Sequence, residues 1–295
     1  MTRIVAVVVT YQPDPSTLLR LLLALAPQVN GGIVVNNGAG LPLAEHPLAL
    51  LGFSTQHLGS NLGVASALNA GCKWSEQQQA DFIITFDQDS EPAPDMVACL
   101  LDAYRVLTEK GCKVGAIGPQ QVDRRSGRRS VFLAPIHFLR YKLRLHAGDV
   151  VEVDHLISSG CLIPAAAWRD AGDFVEELFI DYVDIEWSLR LRHRGWHLFG
   201  VGSAVLNHSI GDTVRPWYGH QVFEHSPLRH YYLMRNGIYL QTLHHVALGW
   251  KIADGFQLLK KFVFFSLVGS DRWSHVKAMA RGVKDGVLGR WGPGL

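Results

Sequence analysis

The run Ile4-Val5-Ala6-Val7-Val8-Val9-Thr10 constrains this chain more than any other stretch. It is β-branched almost throughout and lacks polar alternation, the pattern of a strand covered on both faces. Such strands belong to parallel sheets, whose connections are helical crossovers. The run is too short to cross a membrane, and no small-residue cleavage site follows it, so it reads as a buried first strand and not as a signal peptide. Pro13-Asp14-Pro15-Ser16 then breaks the strand with helix-start chemistry, and Leu18, Leu19, Leu21, Leu22, Leu23 and Leu25 supply an apolar helical face. Ile33-Val34-Val35 predicts a second strand, ended by Asn36-Asn37-Gly38. Asn61 to Trp74 carries small and apolar residues at helical spacing. Phe82 to Phe86 predicts a strand, Met96 to Leu107 a helix and Val114 to Ile117 a strand. This alternation predicts an α/β fold with a mainly parallel sheet.

Beyond that point the character changes. Asp123 to Arg129 is a polar, Arg-rich turn, and Arg140, Lys142 and Arg144 alternate with apolar residues as in an exposed ribbon. Leu156 to Pro164 and Glu176 to Trp196 resume ordered structure. The strand signal fades after about residue 215, and the tail from Leu228 is helical in pattern. With 295 residues, the chain is long enough for one large domain over 1–215 and a helical region over 216–295. A hydrophobic content of 48% allows a sizeable core, and a net charge of only +2 gives no global field for nucleic acid. Cys72, Cys99, Cys112 and Cys161 are far apart, with no C-x-x-C pair, which argues against a zinc site or a disulfide framework and fits a reducing cytoplasm.

Chemistry-bearing residues cluster at four places. Phe86-Asp87-Gln88-Asp89-Ser90 follows a strand directly, and two carboxylates at that spacing can converge on one hard cation at the carboxyl end of a sheet. Read as a turn with a helix cap, the same pair would need no further function. In Phe179-Ile180-Asp181-Tyr182-Val183-Asp184-Ile185-Glu186-Trp187, three acids stand at a helix start. There they can favour the dipole, or one of them can act as a general base. His208, in Asn207-His208-Ser209-Ile210-Gly211, is either a packed histidine or the nitrogen ligand of a mixed metal shell. The small residues of Asn61-Leu62-Gly63-Val64-Ala65-Ser66-Ala67-Leu68-Asn69-Ala70-Gly71 let a helix approach the sheet or a ligand closely. They do not form the dinucleotide pattern G-x-G-x-x-G.

In this order the motifs resemble the family 2 glycosyltransferases of the GT-A fold, and within them bacterial L-rhamnosyltransferases. The match is carried by Val8-Val9-Thr10-Tyr11-Gln12-Pro13, the Asn61–Gly71 motif, Phe86-Asp87-Gln88-Asp89-Ser90, Ile157-Ser158-Ser159-Gly160-Cys161, the run from Glu177 to Trp187, and Arg229-His230-Tyr231-Tyr232-Leu233-Met234-Arg235-Asn236. The resemblance implies a Rossmann-like, mainly parallel sheet with flanking helices. It implies that Thr10, Tyr11, Asn36 and Asn61 serve the nucleotide-sugar site, and that Arg229, Tyr232 and Arg235 face the diphosphate or acceptor. Asp87 would lie near both the ribose and the metal; Asp89 and His208 would complete the ligands of Mg2+ or Mn2+, and Asp184 would be the catalytic base. The implied donor is dTDP-L-rhamnose and the implied acceptor a glycan or lipid-linked hydroxyl, with inversion. Relatives usually end the second strand in Asp-Asn. Here Asn36-Asn37 stands there, and the Asn36 amide oxygen can still accept a base N–H.

Two rivals make different demands. A nucleotidyltransferase would need a Gly- and Lys-rich phosphate loop near the N-terminus, which Val9-Thr10-Tyr11-Gln12-Pro13 is not. A non-catalytic nucleotide-binding scaffold would have lost Asp89 or Asp184. Last, Trp250, Phe256, Leu258, Leu259, Phe262, Phe264, Phe265, Leu267, Val268 and Trp273 are interleaved with Lys251, Lys260, Lys261, Arg272, Lys277, Arg281 and Lys284. That composition predicts a peripheral contact with anionic lipid on the inner face of the cytoplasmic membrane; core packing or a homodimer contact would use the same residues.

Overall fold

The computed structural model describes residues 2–40, 45–124, 126–135, 141–208, 213–217, 220–224, 226–268 and 271–294. The first half alternates as the hydrophobic pattern requires: β1 (Ile4–Thr10), α1 (Pro15–Leu25), β2 (Gly32–Asn36), α2 (Glu45–Leu50), β3 (Phe53–His57), α3 (Val64–Gln77), β4 (Phe82–Asp87), a short β5 (Glu91–Pro92), α4 (Met96–Glu109) and β6 (Val114–Asp123). Then follow β7 (Phe132–Leu133), β8 (Lys142–Leu143), β9 (Val150–Glu152), β10 (Cys161–Pro164), α5 (Ala165–Ala171), α6 (Val183–His193) and β11 (His197–His208). The chain closes with β12 (Thr213–Trp217), β13 (His220–Glu224), α7 (Pro227–Thr242), α8 (Leu248–Val268) and α9 (Arg272–Val287).

The main sheet runs β3-β2-β1-β4-β10-β6-β11-β5. Its first four strands are parallel, β10 runs antiparallel between β4 and β6, and β11 is parallel to β6. Every residue of β1 is buried, and its alternation divides the core. Val5, Val7 and Val9 pack with Ala67, Leu68 and Cys72 of α3 and with Trp168 and Trp187. Ile4, Ala6 and Val8 face the other layer, against Leu18, Leu21 and Leu22 of α1 and Met96 and Leu100 of α4. Asp14 caps α1, accepting from the Thr17 N–H at 2.8 Å. The small residues of α3 serve sheet approach: a Cβ on Gly71 would overlap Val7.

Three details differ from the sequence reading. Strand structure continues past residue 215, because β12 and β13 form a hairpin. Pro216 hides that hairpin from a pattern search, since proline demotes a strand signal although a two-stranded ribbon tolerates it. The ribbon expected around Lys142 is short, Lys142–Leu143 pairing with Phe132–Leu133, and Arg140 lies outside the described residues, as do Ser209, Ile210 and Gly211. In the C-terminal series, Trp250, Leu258 and Phe265 are buried in a core shared with Tyr182, Leu189 and Met279. They therefore cannot meet a membrane or a second copy. All four cysteines are free.

Candidate active site

The sheet register assembles one wall. Thr10 pairs with Asn36 across β1 and β2, and Val9 with Asp87 across β1 and β4, so Thr10, Asn36 and Asp87 end side by side at the carboxyl edge. Ligands of open α/β sheets bind there. Thr10 and Asn36 are fully buried, while Tyr11, at 45% exposure, stands at the rim with its N–H donated to Gln88 Oε1 at 2.7 Å. The Asn36 amide nitrogen reaches the Gly38 carbonyl and His57 Nδ1, and its Oδ1 is buried without a hydrogen-bond partner among the described residues. Asn61 Oδ1 accepts from Asn37 Nδ2 and from the Gly63 N–H, which shapes the turn into α3.

Asp87, Asp89, His208 and Asp184 line one pocket of about 810 Å³, a size within the usual range for small-molecule sites. His208 Nδ1 lies 3.4 Å from Asp89 Oδ1 and 3.5 Å from Ser90 Oγ. Ser90 and Ser159 share a 2.6 Å hydrogen bond, and Ser159 Oγ accepts the Asp87 N–H. Desolvation in the crevice pushes the Asp87 carboxyl up to about 6, against the pull of His208; Asp89 and Asp184 add to the rise. Carboxylates crowded this way are stabilised by a cation between them. Among the described residues, however, no three His, Cys, Asp or Glu side chains already converge tightly enough to hold a metal ion.

The opposite wall is the turn before α6. Phe179, Asp181 and Tyr182 have φ of 64°, 62° and 66°, each costing on the order of 1–3 kcal/mol for a non-glycine residue. Buried groups hold the turn in this shape. Asn236 Nδ2 donates to the carbonyls of Leu178, Ile180 and Asp181 at 2.8–2.9 Å. Arg235 donates to those of Glu177 and Leu178 at 3.0 Å, and Tyr232 stacks on Phe179 with centroids 5.2 Å apart. Gly63, at φ 92°, lets the start of α3 touch the same turn, where a Cβ would stand 2.7 Å from the Phe179 oxygen.

This frame separates the three acids. Asp181 is paired through both oxygens with Arg229. Glu186, almost fully buried, lies against Arg190 and His245; burial works against its charge, but these two partners outweigh it and hold it below the ordinary carboxylate range. Asp184 has no paired cation among the described residues: it accepts the N–H groups of Ile185 and Ser158 at 2.9 and 3.3 Å. Burial pushes it above its ordinary value, against His155 and those two N–H groups.

The pocket thus brings together Asp87, Asp89, Asp184, His208 and Arg229 of the expected residues. Arg235 and Tyr232 are not at its wall. Both are about 1% exposed and support the turn behind it, so the pocket does not bring them together with the other residues expected to face the diphosphate or acceptor. Sequence reading missed His155, Gln121 and Ser159, and also Trp250, Asp254, Gln257 and Lys261 of α8, which line the pocket or its floor. The α8 contribution is anchored: Trp250 Nε1 donates to Asp154 Oδ2 at 2.9 Å, and Tyr182 Oη to Asp254 at 3.1 Å. One signal available in the sequence was Asp254, the acid of α8, set among its apolar residues and lysines.

Comparison with known proteins agrees with this geometry. The family model of glycosyl transferase family 2 matches residues 5–157. The chain is 30% identical over 298 residues to the dTDP-rhamnosyl transferase RfbF of Shigella flexneri, spanning 99% of this chain and 98% of that protein. Among solved structures, S. aureus TarS 1-349 in complex with UDP-GlcNAc matches with a TM-score of 0.58 at 13% identity, over 98% of this chain and 84% of that one. A longer S. aureus TarS structure matches at 0.60 and 14% identity over 96% of this chain, which spans 49% of its length. GalNAc-T7 with UDP, GalNAc and Mn2+ matches at 0.57 and 14% identity, over 92% and 58% of the two chains. These structures share the fold. With the family match reaching across more than half of its length, and a relative aligned to nearly all of it, the chain belongs to glycosyl transferase family 2 and is a glycosyltransferase.

Proposed function

We propose that this enzyme moves L-rhamnose from dTDP-L-rhamnose to a hydroxyl of a glycan or lipid-linked acceptor, with inversion. The observation that carries the reading is one pocket holding Asp87, Asp89, His208 and Asp184, in a chain whose full-length relative is a dTDP-rhamnosyl transferase. The nucleotide fits the carboxyl edge of the sheet. There the unpartnered Asn36 Oδ1 suits a base N–H, and Tyr11 would cover the base from the rim. Asp87, Asp89 and His208 would hold Mg2+ or Mn2+, a donor set of two carboxylates and an imidazole. That ion would offset charge growing on the departing diphosphate.

In the reaction, the acceptor oxygen bonds to the anomeric carbon as the carbon–oxygen bond to the diphosphate breaks, and dTDP leaves with that electron pair. Asp184 accepts the hydroxyl proton. Its raised proton affinity suits the task, because a base titrating closer to neutral pH takes a proton more readily while still ionised. Asp181 and Glu186 are held by cations and are poor candidates for the role. A single displacement turns a β-linked donor into an α-L-rhamnoside without a covalent glycosyl-enzyme. The exposed face of α8 and the start of α9 would rest on the inner leaflet of the cytoplasmic membrane.

The test is side-by-side transfer from dTDP-L-rhamnose, UDP-glucose and GDP-mannose, with and without EDTA. Fastest turnover of dTDP-L-rhamnose, abolished by chelation, is expected. Preference for another donor overturns the donor assignment, and full activity in excess EDTA overturns the metal.

A further inference from the structure

The Arg-rich turn after β6 has no part in the pocket described above, yet it opens onto a cleft of its own. Asp123 and Arg128 close the turn, with the Asp123 N–H donating to the Arg128 carbonyl at 2.9 Å, and Ser130 N–H returns to the Gln121 carbonyl. Arg128 and Arg129 are thereby carried alongside Arg144 and His146, which follow β8. The four exposed side chains line a cleft of about 750 Å³. The nearby acids are otherwise engaged: Asp149 accepts the His146 backbone N–H, Asp123 accepts from Ser126, and Glu91 pairs with Arg124. Among the described residues, none of Arg128, Arg129 and Arg144 forms an ion pair. Arg129 donates to the Leu145 carbonyl at 3.5 Å, and no carboxylate among the described residues lines the cleft with the three arginines, so their like charges favour an anion there.

The cleft neighbours the catalytic pocket through shared lining residues. Ser130 lines both it and a narrower cavity beside Phe132. Gln121, Leu133, His155 and Ile157 line both that cavity and the pocket of Asp184. An acceptor whose hydroxyl reaches Asp184 would pass these shared residues to meet the arginines. Guanidinium groups bind phosphate oxygens through paired N–H donors, a geometry that a neutral glycan does not satisfy.

We propose that the Arg128–Arg129–Arg144 cleft is an acceptor subsite for a phosphate or diphosphate ester, so that the hydroxyl presented to Asp184 belongs to a glycan borne on such a group. This rests on the reading of the Asp184 pocket as the transfer site.

The experiment is calorimetric titration of the full chain, its donor pocket saturated with dTDP, using inorganic pyrophosphate and, separately, geranylgeranyl diphosphate in detergent micelles. Pyrophosphate should bind, and Arg128→Ala with Arg144→Ala should weaken it at least about tenfold, the change expected from losing charge-assisted hydrogen bonds. Arg128→Lys with Arg144→Lys should fall between, and dTDP affinity should not change. Competition between the two ligands for one site assigns the phosphate to a lipid carrier; pyrophosphate binding without competition assigns it to a water-soluble phosphate ester. The proposal is overturned if the alanine pair binds pyrophosphate like the parent, or if only phosphatidylglycerol vesicles respond to the substitutions. Donor hydrolysis is measured in parallel: a protein that binds pyrophosphate at the arginines but does not turn over dTDP-L-rhamnose sinks the donor assignment and leaves the subsite standing.

Discussion

Asp181 and Asp184 are three residues apart, yet their surroundings give them different work. Asp181 is neutralised by Arg229, while Asp184 rests on two backbone N–H groups inside the pocket. Asp184→Asn keeps the shape and removes the base. Its kcat should fall by at least about 10²-fold, the usual loss for a general base, with dTDP affinity retained. A working Asp184→Asn beside a dead Asp181→Asn would assign the proton to the other carboxylate. The pH dependence follows from burial. A carboxyl raised above its ordinary value is protonated at higher pH, and a protonated Asp184 accepts nothing. The kcat of the parent should therefore decline on the acid side, and the residual rate of Asp184→Asn should lose the share of that limb due to Asp184 while keeping any due to Asp87. Asp89, beside His208, predicts a different signature. Asp89→Ala should abolish turnover and also weaken dTDP binding in the presence of Mg2+, because the lost carboxylate serves the diphosphate end. Unchanged nucleotide affinity would remove Asp89 from the metal shell.

The turn from Phe179 to Tyr182 shows why such side chains stay in place. Three positive-φ residues within a stretch of four persist only because α3, α7 and α8 all grip them. Asn236→Ala removes a donor from three carbonyls, of which Leu178 keeps Arg235 and the Ile180 N–H, at a cost of about 1–3 kcal/mol, and should lower the Tm by several degrees. Because Asp184 follows directly, kcat should fall as well. A variant with reduced Tm but parental kcat would show that the turn is structural alone. How far the sequence discloses these elements depends on the range of the forces involved. Most strands and helices up to Val114 are legible because alternation and helical periodicity are local, although α2, β3 and β5 are too short or too polar to stand out; Asp87 and Asp89 are legible because they sit at a strand end. Tyr232 and Arg235 are not legible in the same way. Their residue types suit a diphosphate, but α7 turns them inward, and helix rotation is decided by what packs on the other side. His155, Ser159 and the α8 residues reach the pocket through long-range folding, for which no short motif exists.

Across the whole molecule, α8 separates two environments. Trp250, Asp254, Gln257 and Lys261 line the catalytic pocket. Leu248, Ile252, Phe256, Leu259, Val263 and Leu267 recur at steps of four, four, three, four and four, forming one apolar stripe on the other side, and all are exposed. Trp273, near the start of α9, is also exposed, at 75%. Lys260 flanks the stripe, its ammonium 4.5 Å from the Phe256 ring centre. No helix among the described residues is long and apolar enough to cross a membrane, so the contact proposed for this face lies in the plane of the interface. Sedimentation with phosphatidylglycerol vesicles should carry the protein down at low salt and less of it at high salt, as lysines facing anionic lipid require. The informative substitution avoids Phe265, whose burial makes it a folding residue. Phe256 and Leu259 are 56% and 59% exposed, so Phe256→Glu with Leu259→Glu should leave the Tm nearly unchanged. Each side chain brings about 1.5–3 kcal/mol on full burial, so losing both should cut vesicle binding at least about 10²-fold. A protein that stays in the supernatant at low salt, or a double variant that sediments like the parent, overturns lipid docking. If light scattering shows a dimer that the same substitutions dissolve, the stripe belongs to a second copy. With lipid as the occupant, the stripe and the pocket lie on opposite faces of a helix about 10 Å across. Asp184 would then stand close to the headgroups, within reach of a sugar hydroxyl on a membrane-borne carrier.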